Sequence, residues 1–254
     1  MRRKFVFAVF GLGCVFCILS SGENSVFGWN APTHRMIARI AARNQNLPRD
    51  LKAFLEDNMH NLELGSVKPD IEDTDDIRAH DVGVAVDRVR EIYAEIIKGG
   101  DKIASTELAL QLGRIAHYIG DIRNPLHTDQ DPAENDPDIQ AHARYETQAE
   151  DILIKSEWLK KPAHIDDIEG YIENIGDESN KYFDWVLEIY EKPGIHTSKI
   201  RARTTTFLTN AAQDVSNFYY TIWTDMKKNG VGVASSGGRP TYPKRKPSPR
   251  RSAG

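Results

Sequence analysis

Two histidine–carboxylate pairs stand near the middle of the chain. The segment HYIGDIRNPLH places His117 four residues before Asp121, and HARYE places His142 four residues before Glu146. Side chains four residues apart share one face of a helix. Imidazole and carboxylate ligands without a thiolate are typical of zinc used in hydrolysis rather than of a structural zinc finger. The spacing therefore predicts a hydrolytic metal site carried by two helices.

A third histidine strengthens this prediction. His127 follows Pro125, which should end the helix that carries the first pair. Each pair alone could also be a surface ion pair or a buried, hydrogen-bonded histidine. Three histidines and two carboxylates within about thirty residues favour a ligand cluster instead. By contrast, His60, His164 and His196 have no partner at ligand spacing and are expected at the surface.

The elements that must position these donors read as helices. Apolar residues recur at the helical period between residues 36 and 41 and between residues 86 and 96. Further helices are predicted at residues 51–55, 108–122, 149–157, 165–190 and 200–226, with long loops at residues 57–83 and 128–141. No run alternates like a half-buried strand. The sequence therefore predicts an all-α fold with a single multi-helix domain.

The charge distribution differs between the body and the end of the chain. Residues 29–225 contain 22 lysines and arginines and 36 aspartates and glutamates, a net charge of −14. This balance disfavours long-range attraction of polyanions, although bound dications would offset part of it. Residues 229–254 are basic, contain no acidic residue and are rich in Gly, Ser and Pro, so a disordered tail is predicted. A solvated tail and a contact with anionic lipid, polymer or nucleic acid are both open.

The first residues predict export. A basic MRRK is followed by the apolar run FVFAVFGLGCVFCILSS, which is short for a membrane span and precedes no stop-transfer charges. Residues 1–28 are therefore predicted to be a signal peptide, and the protein to be secreted or periplasmic. The only cysteines, Cys14 and Cys17, lie in this run, so the mature protein would contain no disulfide. Cleavage after residue 28, or after Gly22 with residues 23–28 removed as a short propeptide, both fit.

These motifs together resemble the zinc-dependent phospholipase C and single-strand-specific zinc nuclease superfamily. The resemblance runs from Trp29 to about Lys228 and is most specific in HYIGDIRNPLH and HARYE, which are closest to the bacterial zinc-dependent phospholipase C pattern. The segment NAAQDVSNFYYTIWTDM also resembles the last helix of that enzyme. The resemblance implies that residues 29–228 form one all-α domain holding three zinc ions in a cleft.

The resemblance also implies a ligand set. The donors divide into three groups: Asp70, His80, His117 and Asp121 for a first ion; Trp29, His34 and a bridging Asp121 for a neighbouring ion; and His127, His142 and Glu146 for a third. Trp29 would bind through its α-amino group and carbonyl, which requires that processing make it the first residue. Because the loop that follows Pro69 is acidic, Asp73, Asp75 and Asp76 are alternatives to Asp70.

The implied chemistry is hydrolysis of a phosphodiester to a phosphate monoester and an alcohol. The metals would activate a water molecule for in-line attack and neutralise charge on the phosphoryl oxygens. Asp70 and Asp121 are the predicted catalytic residues: Asp121 sets the spacing of two ions, and Asp70 could serve as general base through an oxygen that does not bind metal.

The substrate is less clearly indicated, because two spacings disagree. The interval from Trp29 to His34 resembles the nucleases, whereas the short interval from His127 to His142 resembles the phospholipases. Asp81 stands where the nucleases carry a stacking aromatic residue, and an acidic residue there suits a cationic head group better. Phospholipase C activity, which releases a phosphorylated head group from a glycerophospholipid, is therefore favoured.

Two alternative functions stay open. One is a single-strand nuclease or 3′-nucleotidase of the same superfamily, and the other is a non-catalytic zinc-binding protein. The partners expected under the favoured hypothesis are phospholipid or a membrane surface, with nucleic acid possible under the first alternative. A monomer without an obligate protein partner is expected.

Overall fold

Helices form nearly all of the regular structure in a computed structural model that describes residues 29–72, 82–99, 102–128, 139–191 and 198–234. The α-helices of these residues are, in chain order, α1 (Ala31–Ala42), α2 (Arg49–Asp57), α3 (Met59–Gly65), α4 (Pro69–Glu72), α5 (Val82–Lys98), α6 (Ser105–Ile122), α7 (Ile139–Ala149), α8 (Ile168–Asn180), α9 (Phe183–Glu191) and α10 (Ser198–Lys228). Two short strands, β1 (Lys102–Ala104) and β2 (Gly232–Ala234), pair in parallel. The prediction of an all-α, multi-helix fold is confirmed.

Helix α6 lies at the centre of the described structure. It packs against α1, α3, α5 and α10, and every residue from Ile115 to Ile122 is buried. A helix buried on all sides is typical of the middle of a helical domain. Because its last two turns carry His117 and Asp121, both polar side chains lie in the interior, where they need partners.

The crossing of α3 and α6 is unusually close. A Cβ added at Gly113 would lie 2.3 Å from the Leu62 carbonyl oxygen, and one added at Gly65 would lie 2.2 Å from the Leu110 carbonyl oxygen. Only glycine permits such backbone contact between two helices. The crossing places the residue after Gly65, Ser66, beside His117.

Some predicted boundaries are wrong. Helices α3 and α4 lie within residues 57–83, which were predicted to form a loop, because helices of seven and four residues are too short to show a periodic apolar stripe. The predicted α-helix at residues 149–157 is absent, and between α7 and α8 only the 3₁₀ turn Ser156–Trp158 is helical. Helix α7 ends at Ala149, and the following segment alternates between buried Ile152 and Ile154 and exposed Leu153, a period of two rather than 3.6.

The described structure continues beyond residue 228, the predicted end of the domain. Gly230 has a φ of 71°, a left-handed conformation that lets the chain turn back after α10, and the Val231 amide donates to the Met226 carbonyl oxygen. Strand β2 then pairs with β1, so pairing with a distant segment orders residues 232–234, which were predicted to belong to the disordered tail. The predicted signal peptide and residues 235–254 lie outside the described residues.

None of the helices in the described part of the chain combines the length and the apolar composition that crossing a bilayer requires.

Candidate metal centre

The structure gathers seven of the predicted donors into two clusters, and all of these except Asp70 are buried. The first cluster consists of His34 from α1, Asp70 from α4, and His117 and Asp121 from α6. The second cluster consists of His127, from the turn after α6, and His142 and Glu146 from α7. Within the first, candidate ligand atoms of His34, Asp70 and His117 all lie within 4.8 Å of one another, and the same limit holds across the second.

The carboxylate of Asp121 connects the donors of the first cluster. Its Oδ1 lies 3.2 Å from Nε2 of His34, and its Oδ2 lies 3.0 Å from Nε2 of His117. Each carboxylate oxygen thus faces a different imidazole, as a bridging ligand requires. Burial alone would raise the pKa of Asp121, but the two facing histidines outweigh burial and hold that pKa well below its usual value.

The ring of His117 is held by the main chain. Its Nδ1 lies 3.0 Å from the Ser66 carbonyl oxygen, and since a carbonyl only accepts, we assign the proton to Nδ1. Nε2 then presents its lone pair to the cluster, as metal-binding histidines commonly do. Burial lowers the pKa of His117, and the charge of Asp121 opposes this shift only in part. A neutral imidazole is the form that binds a metal.

Asp70 lies at the edge of the first cluster. Its Oδ1 is 3.6 Å from Nε2 of His117, and it is the one member of the cluster that is only partly buried. Asp70 is thus the member of the cluster that stands between the buried donors and solvent.

Trp29 packs directly against the first cluster. Its indole Nε1 donates to the Gly120 carbonyl oxygen at 2.8 Å, and its ring packs on Tyr145 with centroids 5.3 Å apart. Its main-chain nitrogen lies 3.2 Å from Oδ1 of Asp121. The nitrogen predicted to become an α-amino ligand therefore already faces the predicted bridging carboxylate.

The second cluster brings three buried candidate ligand atoms together. Nε2 of His127 lies 3.0 Å from Nε2 of His142, and Oε1 of Glu146 lies 3.3 Å and 2.8 Å from these two nitrogens. Three ligands at the usual distances from one tetrahedral zinc ion would be about 3.3 Å apart. The donor set thus fits zinc in chemistry and spacing. Burial lowers the pKa of His127, opposed by Glu146 and by the charge of Asp121 in the adjoining first cluster.

One predicted ligand and several alternatives cannot be placed. His80 lies outside the described residues, as do Asp81 and the three rival aspartates, Asp73, Asp75 and Asp76. Ser66 and Asn124, which form hydrogen bonds to His117 and Glu146, were not predicted. The Ser66 carbonyl carries no signal in the sequence, whereas Asn124 stands before Pro125, a pattern typical of a turn whose first side chain caps it.

Comparison with known proteins identifies the family of this chain. Residues 33–201 match the family described as zinc dependent phospholipase C. A solved structure of alpha-toxin from an avian strain (SWCP) of Clostridium perfringens is 20% identical, with a TM-score of 0.54 over 82% of this chain and 66% of the toxin. The alpha toxin of Clostridium absonum is 18% identical, with a TM-score of 0.52 over 83% of this chain and 67% of the toxin. No curated protein sequence matches the chain.

Buried imidazole–carboxylate clusters on an all-α fold are of the kind that metal-dependent hydrolases use. The family match covers more than half of the chain, so the protein belongs to the zinc-dependent phospholipase C family. The predicted family is confirmed, and zinc is the metal on which that family depends. The likeness to the toxins shows the fold, and the chain spans about two thirds of their length. Three zinc ions, and the assignment of each ligand, stay predictions.

Proposed function

We propose that this protein is a secreted zinc-dependent phospholipase C, which hydrolyses glycerophospholipids and releases the phosphorylated head group. The observation that carries the proposal is the convergence of two buried imidazole–carboxylate clusters in a chain of this family. Structural zinc sites are closed and commonly contain cysteine. Cys14 and Cys17 both precede the described domain, so these clusters have no such ligand, which disfavours a purely structural role.

The residues of the clusters divide the work of hydrolysis. Bound zinc would lower the pKa of water and neutralise charge on the phosphoryl oxygens. Asp121 holds His34 and His117 at a fixed separation through its two oxygens. Asp70, between the buried donors and solvent, accepts the proton of the attacking water on a carboxylate oxygen as the new P–O bond forms and the bond to the alcohol breaks. The departing alkoxide oxygen takes up a proton from solvent water, and Asp70 returns its proton to solvent. The products are a phosphate monoester and an alcohol.

Net charge supports a phospholipid over a nucleic acid as substrate. Residues 29–225 carry a net charge of −14, which repels a polyanion at long range. A zwitterionic head group experiences much less repulsion. One observation favours the second candidate function, a single-strand nuclease. The interval between Trp29 and His34 resembles the corresponding interval of the nucleases.

One assay separates the candidate functions. Zinc-loaded protein is offered phosphatidylcholine vesicles and single-stranded DNA in parallel, and released phosphorylcholine and nucleotides are counted. We expect phosphorylcholine release to dominate. Faster nucleotide release would contradict the proposed phospholipase activity and support a nuclease. Bound zinc without turnover of either substrate or of a chromogenic phosphodiester would favour a binding protein.

An exposed segment after α7 supports action at a lipid surface. Leu153 and Trp158 are 77% and 48% exposed, and the ammonium group of Lys155 lies 5.9 Å from the centroid of the Trp158 ring. Buried Ile154 and Leu159 anchor the segment between them. Exposed tryptophan and lysine side chains together are typical of segments that lie at a membrane interface.

We expect the double substitution Leu153→Ser/Trp158→Ala to lower the rate on phosphatidylcholine vesicles roughly tenfold, because burial of these two side chains in the interface contributes more than about 1.4 kcal/mol. The rate on a soluble chromogenic diester should stay unchanged. Leu64→Ser, which removes an exposed leucine from α3, is the matched control. Equal losses on both substrates, or the same loss in the control, would contradict a surface role.

The position of Trp29 supports processing immediately before it. Its main-chain nitrogen faces Asp121, and an amine binds zinc whereas an amide nitrogen does not. We expect protein that begins at Trp29 to bind one more zinc ion, and to be far more active, than protein that begins at Gly28. Metal analysis and mass spectrometry of both versions provide the check. Equal zinc content and activity would exclude the amine ligand and leave Trp29 as a buried aromatic residue.

A further inference from the structure

Asn124 lies between two predicted zinc ligands, Asp121 and His127, and is fully buried. Its main chain is bonded in both directions: its amide donates to the Asp121 carbonyl oxygen at 2.7 Å, and its own carbonyl accepts from the His127 amide at 3.0 Å. Its Oδ1 accepts from the Leu126 amide at 3.1 Å, which caps the single 3₁₀ turn Pro125–His127. Asn124 therefore determines where the turn that carries His127 begins.

The other end of the same amide reaches the second cluster. Because Oδ1 is engaged by a main-chain N–H, Nδ2 must be the atom that faces Glu146. It donates to Oε1 of Glu146 at 3.1 Å, and this is the oxygen that faces both His127 and His142. Among the described residues, the side chains within hydrogen-bonding distance of Glu146 are those of Asn124, His127 and His142.

We infer that Asn124 is a positioning residue for the second cluster, setting the Glu146 carboxylate and the His127 imidazole in one geometry through the two ends of its amide. The inference rests on the proposed function only in taking zinc as the ion bound there. A substitution of Asn124 that removes the donor to Glu146 but still accepts from the Leu126 amide should leave the turn in place. The carboxylate of Glu146 would then be free to rotate. Partners of this kind typically contribute 10–100-fold to metal affinity.

Asn180, on α8, provides a matched control because it bonds to the loop that carries His127. From α8, its Nδ2 donates to the carbonyl oxygen of Thr128, the residue after His127, at 2.8 Å and to the Thr128 hydroxyl at 3.2 Å. Like Asn124, it is an asparagine that ties the loop to a neighbouring helix. The two residues differ in what their Nδ2 atoms reach: Nδ2 of Asn180 donates to Thr128, whereas Nδ2 of Asn124 donates to a side chain of the second cluster. Its replacement should loosen the loop without freeing Glu146.

The experiment compares Asn124→Ser with Asn180→Ser by competing full-length zinc-loaded protein against a chromophoric chelator. A serine hydroxyl can still accept from the Leu126 amide but is too short to reach Glu146. We expect Asn124→Ser to release one zinc ion at chelator concentrations roughly 10–100-fold lower than the unmodified protein, while the remaining ions titrate as before. Asn180→Ser should lower the thermal midpoint but keep the unmodified zinc titration. An unchanged titration in Asn124→Ser, or an equal weakening in Asn180→Ser, would overturn the inference.

A double-mutant cycle with Glu146→Gln keeps the inference testable if Asn124→Ser is poorly stable. If Asn124 acts through Glu146, Asn124→Ser should weaken zinc much less in the Glu146→Gln background than alone. Additive losses would overturn the inference. Because zinc competition uses no lipid, protein that binds zinc in this pattern but releases no phosphorylcholine would refute the proposed function and leave the role of Asn124 intact.

Discussion

Asp121→Asn is expected to lower kcat/KM on a soluble phosphodiester by at least roughly 10³-fold, beyond the 10–100-fold typical of residues that only support a metal ligand. The carboxylate of Asp121 offers one oxygen to His34 and the other to His117. An amide keeps the shape but replaces one oxygen by a donor that repels a cation. The loss should therefore appear in both zinc content and turnover.

Two comparisons test this interpretation. Glu146→Gln, in the second cluster, should cost less, because Glu146 is assigned to a single ion. Asp214→Asn is the control for a buried aspartate outside both clusters: it disrupts the bond to Nε of Arg123, 2.6 Å away, and should lower stability while zinc content is retained. Mild and comparable losses of kcat in Asp121→Asn and Glu146→Gln would contradict the bridging role.

Removal of zinc is expected to abolish turnover and to lower the thermal midpoint by more than roughly 10 °C. The candidate ligand atoms of His127, His142 and Glu146 lie 2.8 to 3.3 Å from one another in the interior, where a bound cation would hold them together. Zinc bound by ligands from separate segments contributes its binding energy to folding. A domain of this size loses about 2–4 °C for each kcal/mol, so a contribution of several kcal/mol gives the expected shift.

Calorimetry with and without a chelator measures the effect. Added zinc should restore the midpoint, whereas added Mg²⁺ should not, because Mg²⁺ prefers oxygen ligands and these clusters are rich in imidazole. A chelated sample that keeps both its midpoint and its turnover would show that the clusters do not bind zinc.

The fold class and most of the candidate donors could be predicted from the sequence alone. The pairs in HYIGDIRNPLH and HARYE could be recognised because a spacing of four places two side chains on one helix face, whatever the rest of the chain does. The long helices α1, α5, α6 and α10 could be predicted for a similar reason, since each displays an apolar stripe over several turns. These are local properties of the chain.

Short elements and long-range partners could not be predicted in this way. Helices α3 and α4 are too short to show a period, and strands β1 and β2 pair across more than a hundred residues of intervening chain. His164 has no partner at ligand spacing in the sequence, and in the structure its two nitrogens lie 2.9 Å and 3.0 Å from carboxylate oxygens of Asp166 and Asp225. The second of these contacts comes from α10, which no local spacing relates to His164.

The tertiary structure alone decided how the donors meet. The backbone contact between Gly65 and Gly113 brings the Ser66 carbonyl to His117, and the packing of α1 on α6 turns His34 toward Asp121. The sequence shows which side chains share a face of a helix, because that depends on the helical repeat. Which faces meet depends on the burial and close packing of residues far apart in the chain, and only there does Asp121 acquire a different histidine for each of its oxygens.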